Sequence, residues 1–236
     1  KEPMRRSVVH QSAFNTNYAV IGFSLSVMLA GEAAGTQASV AAAVIVPTVN
    51  ILAVIALSMY GGAGEARPSA KDVCIKTITN PLIVSVIISL AFMLVRWGIM
   101  QAGVDFTLSD DNFIAKTLDN LAAVAMPLAL IVLGGQFRFG AAGRLWKEIA
   151  VSSVTRLLII PVLCIVVAYF AGMRSAAEMA VIISVCGTPV AVSSSPMAVP
   201  MKQDGELAGQ LVVWTTLFSA FSLFLIIFTC SSIGVL

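Results

Sequence analysis

Charged residues fall so far apart along this chain that the apolar stretches between them set its plan. Seven charge-free runs stand out: Ser7 to Gly31, Ala33 to Gly64, Thr77 to Val95, Asn120 to Phe137, Leu157 to Met173, Met179 to Met201 and Leu207 to Leu236. A helix that crosses the roughly 30 Å hydrocarbon core of a bilayer needs about 20 mostly apolar residues. The runs therefore predict an all-α integral membrane protein with seven transmembrane helices. Gly61-Gly62-Ala63-Gly64 closes the overlong second run near Tyr60. The short fourth and fifth runs need N-terminal extension, through Lys116 and Asp119 in one case and through Ala150 to Thr155 in the other.

Composition removes the soluble alternatives. Hydrophobic residues make up 58% of the 236 and charged residues 11%, with mean hydropathy +0.96. A soluble domain carries about 25% charged residues, so this chain lacks the charge to solvate its surface. A net charge of +2 offers no basic excess for nucleic acid. Cys74, Cys164, Cys186 and Cys230 have neither metal-ligand nor redox spacing and read as reduced packing residues. No cofactor or metal is expected.

Orientation follows from the Lys/Arg bias of the connecting segments. Lys1, Arg5, Arg6, Arg67, Lys71, Lys76, Arg138, Arg144, Lys147 and Lys202 collect on one side, against Arg96, Lys116 and Arg174 on the other. The N-terminus is thus expected in the cytoplasm and the C-terminus outside, in the inner (plasma) membrane. Arg156 lies inside the fifth span and is expected to snorkel to the cytoplasmic surface. His10 is expected at the interface, and Glu32, Glu178, Asp204 and Glu206 at helix starts, where a carboxylate suits the dipole.

Two spans are poor continuous helices. The first opens with Asn15-Thr16-Asn17, and the sixth holds Gly187-Thr188-Pro189, Ser193-Ser194-Ser195-Pro196 and Pro200. Proline removes an N–H and clashes with the preceding turn, so the sixth span should unwind in its middle. Gly31-Glu32-Ala33-Ala34-Gly35 follows the first broken span and Gly205-Glu206-Leu207-Ala208-Gly209 the second. By the assigned orientation the two copies lie on opposite faces, as repeats of inverted topology would place them. Interrupted spans at matching positions of such repeats point to a transport site. Five spans follow the loop 61–76 and two precede it, which predicts three further spans before Lys1. The expected division is 1–60, the last two helices of a first repeat; 61–76, a cytoplasmic loop; and 77–236, a second five-helix repeat.

These residues resemble the auxin efflux carrier family. The likeness rests on Asn17-Tyr18-Ala19-Val20-Ile21-Gly22 with Gly31-Glu32, on Asn80-Pro81-Leu82-Ile83, on Leu118-Asp119-Asn120 with Ala125-Met126-Pro127-Leu128-Ala129-Leu130 and Leu133-Gly134-Gly135, on Thr188-Pro189-Val190-Ala191, and on Asp204-Gly205-Glu206-Leu207-Ala208. The resemblance implies helices four to ten of a ten-helix, five-plus-five inverted repeat whose fourth and ninth helices break and cross at the substrate site. It also implies a small organic acid such as malate, or an auxin-like acid, as substrate, and allows a homodimer. Where the family has Gly-x-Pro, this chain has Gly22-Phe23-Ser24, so its first break should be softer.

A half-helix N-terminus carries about half a positive charge and unpaired N–H groups, which suit a carboxylate. The candidate substrate residues are Asn15, Asn17, Gly22, Gly187, Thr188, Pro189, Ser193 and Ser194, neutral donors and breaks around such an anion. Asp119 either caps its helix or serves as a proton-coupling carboxylate. A channel or a seven-helix receptor is the rival class, yet no TVGYG-like filter is present and the last span has no lysine for a retinal Schiff base. An enzyme is not expected, since no H-E-x-x-H or G-x-S-x-G occurs.

Overall fold

In the computed structural model, residues 2–60, 69–79, 81–102 and 113–236 are described. All named elements are helical: α1 (Glu2–Phe14), α2 (Phe23–Ser58), α3 (Ala70–Ile78), α4 (Pro81–Gln101), α5 (Phe113–Gln136), α6 (Phe139–Arg144), α7 (Trp146–Val154), α8 (Ile160–Phe170), α9 (Ala176–Gly187), α10 (Ser194–Ala198) and α11 (Gly205–Ser232). One π-helical turn, Tyr18–Gly22, leads into α2, and a second, Thr155–Ile159, joins α7 to α8. Among the described residues, four segments are long and apolar enough to cross a membrane: Tyr18–Ser58, Ile83–Gln101, Trp146–Phe170 and Gly205–Ser232. Apolar side chains such as Phe221, Phe224 and Phe228 of α11 or Val166 and Val167 of α8 face outward. That surface suits lipid, and the protein is a multi-pass membrane protein.

The 41-residue segment Tyr18–Ser58 does not run straight. At about 1.5 Å per residue, Tyr18 and Ala38 would stand about 30 Å apart on one helix, yet the Tyr18 hydroxyl donates to the Ala38 carbonyl at 3.1 Å. The reversal is made at Ala30 and Gly31, whose dihedrals are non-helical; Gly31 has φ 67° and ψ −156°, a region that is essentially glycine's alone. The first Gly-Glu pair is thus the corner of a helical hairpin. The matching Gly205-Glu206 opens α11 behind its N-cap Asp204, whose carboxylate accepts the Leu207 N–H.

The 61–76 stretch contains more structure than a loop. Residues 61–68 lie outside the described residues, but Ser69 and Asp72 form a capping box that starts α3, and α3 continues to Ile78. A Ser-x-x-Asp sequence satisfies two orphan N–H groups reciprocally, so the helix begins inside the expected loop. The fourth and fifth spans do extend N-terminally, α5 from Phe113 and the α7–α8 segment from Trp146. The Asn80-Pro81-Leu82-Ile83 stretch is described only from Pro81 onward.

The main core packs α1, α2, α7, α10 and α11 through Val8, Val54, Leu57, Ile149, Ala198, Leu207 and Leu211. The other end of the bundle joins Tyr18, Ala38 and Val181. α4 packs on α2 and α3, and α5 on α11. At the polar end, Arg5 ties three elements together, donating to Glu148 of α7 at 2.8 Å and to Asp204 at 3.2 Å. Nearby, Arg144 pairs with Glu206. His10 is exposed, and its Nδ1 lies 2.8 Å from the Tyr60 hydroxyl, which closes α1 against the end of α2.

Gly31→Ala should lower stability by about 1–3 kcal/mol through backbone strain alone, because open space surrounds the added methyl. Thermal unfolding in detergent should show the loss. Gly35→Ala, on a regular helix with only ordinary contact to Val27, should be neutral or slightly stabilising. Equal effects at both positions would mean that the hairpin corner lies elsewhere.

Candidate functional site

The two broken spans cross. α1 ends at Phe14, Asn15 to Asn17 are non-helical, and the chain recoils through the π turn at Tyr18. α9 ends at Gly187, and Thr188 to Ser193 are non-helical before α10. The proline-containing break is six residues long and the proline-free one three. Thr16 and Val190 face each other in an antiparallel bridge. The Asn17 N–H donates to the Pro189 carbonyl at 2.9 Å and the Ala191 N–H to the Asn15 carbonyl at 3.0 Å.

That bridge answers the constraint of the membrane interior, where freed backbone groups must find partners inside the protein. The Val190 N–H donates to the buried Thr215 hydroxyl of α11 at 3.1 Å. The Thr16 and Thr188 hydroxyls lie 2.7 Å apart; Thr16 reaches the Val185 carbonyl at 2.7 Å and Thr188 the Ser184 carbonyl at 2.9 Å. With one proton each, the two hydroxyls link α9 to the first break.

Three carbonyls of the broken segments accept from Arg156. Its Nε donates to the Thr188 carbonyl at 3.0 Å, Nη1 to Ala13 at 3.2 Å and Nη2 to Val185 at 3.1 Å. Only 2% of this residue is exposed, so the expectation that it snorkels to the surface is overturned. The reason is depth. The helix begins at Trp146, ten residues earlier, which places Arg156 about 15 Å along it, near the middle of a bilayer. Arg5–Glu148 and Ala13–Arg156 have the same sequence separation, 143. α1 and α7 therefore run parallel in constant register until the π turn that carries Arg156 meets the end of α1.

Beside the crossing lies a cavity of about 370 Å³. Asn15, Asn17 and Ser193 line it, together with Thr16 and Val192. Asn50 of α2 completes the polar wall and was missed; an asparagine three residues after Pro47 inside a charge-free run was the available signal. Val46 and Val49 give the wall its apolar part. Asn15 Nδ2 donates to the Ser194 hydroxyl at 2.7 Å. Asn17 is 5% exposed, has no side-chain hydrogen bond among the described residues, and lines the cavity. No residue in this wall is charged.

The other expected residues hold the crossing together from behind the wall. Thr188 is fully buried and its carbonyl and hydroxyl are occupied as above, and Pro189 offers its carbonyl to Asn17. Ser194 receives Asn15. A Cβ at Gly22 would collide with the Tyr18 ring and the Ser184 carbonyl, and one at Gly187 would press on Leu223, so both glycines permit close packing. Asp119 is exposed on α5, which packs on α11, and has no place in the cavity wall.

Two interrupted helices that pair with each other beside an uncharged, mostly apolar cavity are the arrangement of membrane transporters built on broken spans. Residues 2–227 match the family model described as membrane transport protein, and the chain belongs to that family, the auxin efflux carriers. Searches of curated proteins and of solved structures give no match.

Thr215→Val should leave the Val190 N–H buried without an acceptor, at a cost of about 1–3 kcal/mol, while Thr215→Ser should keep most of the stability. Denaturation in micelles compares the two. Equal stability of Thr215→Val and the unmodified protein would remove α11 from the support of the crossing.

Proposed function

We propose that the chain carries small organic anions, malate-like carboxylates or auxin-like acids, through the cavity at the crossing by alternating access. The observation that carries this reading is Asn17, nine-tenths buried, its side chain without a hydrogen-bond partner among the described residues and lining a cavity whose wall is free of charge. An amide N–H bonded to a carboxylate is charge-assisted and stronger than a neutral bond. Asn50 and Ser193 add neutral donors that suit a ligand bringing its own charge. Nearby, the backbone at Tyr18 to Val20 forms the first turn of a long helical segment, whose N–H groups favour an anion.

In this proposal the seven apolar runs are seven spans, equivalent to helices four to ten of a five-plus-five inverted repeat in the plasma membrane. The N-terminus is cytoplasmic and the C-terminus external. Support comes from the two broken segments that pair with each other, the Gly-Glu corners after each, and the Lys/Arg asymmetry. The protein acts as a carrier rather than an enzyme, and a homodimer is compatible with it.

Asn17→Ala should weaken malate binding to the purified protein by about 0.5–1.5 kcal/mol, and by up to about 3 if the bond is charge-assisted. Thr188→Val should instead lower thermal stability, since its hydroxyl points into packed protein. Should Asn17→Ala bind malate as tightly as the unmodified protein, the cavity is not the substrate site.

A further inference from the structure

At the crossing, α1 and α9 both terminate, and each presents a C-terminal end equivalent to about half a negative charge. Left bare beside the cavity, two such ends would repel an anion and attract a cation. Arg156 binds the carbonyls of both, Ala13 on one and Val185 and Thr188 on the other. Its unit positive charge offsets about one unit of negative end charge. No carboxylate is paired with it among the described residues. Ala13 stands two residues before Asn15 and Thr188 three before Ala191, both in the cavity wall. The guanidinium is therefore close enough to act on a ligand electrostatically without being in contact with it.

We infer that Arg156 determines charge specificity at the crossing: by cancelling the negative C-terminal ends of α1 and α9 it lets the helix-start N–H groups at Tyr18 to Val20 set a positive potential in a cavity of neutral side chains, so that the site takes anions and favours dianions over monoanions. This rests on the anion-carrier reading above and deepens it. The effect grows with ligand charge, which a purely structural role for Arg156 would not do. A unit charge about 10 Å away, at an effective dielectric near 20, changes affinity on the order of tenfold per unit of ligand charge.

The test uses three near-isosteric probes, succinate (2−), succinamate (1−) and succinamide (neutral), in equilibrium binding to the purified protein. The unmodified protein should show affinities that fall roughly tenfold with each charge removed. In Arg156→Gln, which keeps amide donors but no charge, the steps should collapse, with succinate losing about tenfold more than succinamate. Arg156→Lys, which keeps the charge and three donors, should retain the steps even where overall affinity falls. Equal losses for all three probes in Arg156→Gln would overturn the inference and leave Arg156 a purely structural clamp. Should Arg156→Gln not fold, the unmodified protein still decides: a flat series across the three probes overturns the inference and a steep one supports it. Failure of the unmodified protein to bind any probe would instead refute the carrier reading itself, and the inference with it.

Discussion

A buried arginine bound to three backbone carbonyls is the interaction on which the rest of this protein depends. Interrupting two helices in mid-membrane strands carbonyls that lipid cannot satisfy, and placing a cation there costs several kcal/mol unless it is well partnered. Each problem solves the other. Arg156 supplies fixed donors in a planar fork, and the ends of α1 and α9 supply oriented acceptors with negative character. Hydrogen bonds to a charged group contribute about 1.5–3 kcal/mol each, enough to make the crossing a defined junction and not a loose kink. The π turn at Thr155–Ile159 belongs to the same solution, since it falls where the guanidinium must reach across both ends.

Because the junction is satisfied from behind, its front can remain empty of charge. Arg156, Thr188, Thr215 and Ser194 support the backbone, while Asn17, Asn50 and Ser193 face the cavity. A neutral polar wall avoids the cost of a permanently buried countercharge and leaves the net charge of the occupied site to the ligand. The division also separates roles that the sequence mixes: Thr188 and Ser193 are both hydroxyl residues of one unwound stretch, yet one carries backbone load and the other contacts the cavity.

Much of this architecture was legible in the sequence. The charge-free runs marked an all-helical membrane protein, the Asn-Thr-Asn and Gly-Thr-Pro stretches fell at the two breaks, and the charged boundary at Gly31-Glu32 fell at the hairpin corner. Those features are local, written in hydropathy, proline and glycine. Which side of an unwound strand faces the cavity is not local, because it depends on pairing between residues some 170 positions apart, such as Thr16 and Val190. Arg156 was misjudged for a specific reason. A span extended only as far as Ala150 holds the cation one turn or so inside, within snorkelling reach of the surface, whereas the helix starts at Trp146 and the guanidinium is bound by carbonyls of the two broken segments, partners that only the fold brings near.

The crossing itself is the central claim, and one cross-link tests it most directly. Thr16 and Val190 form a pair whose flanking bonds run from Asn17 to Pro189 and from Ala191 to Asn15. In that antiparallel geometry the paired Cα atoms approach to about 4.5 Å, well suited to a disulfide. With the native cysteines replaced by serine or alanine, the double variant Thr16→Cys/Val190→Cys should form a disulfide in membranes under mild oxidation, detected as a linked peptide by mass spectrometry. A control pair, Thr16→Cys with Thr216→Cys, should not. Absence of the 16–190 link under conditions that fully oxidise exposed control cysteines would contradict the crossed-helix account.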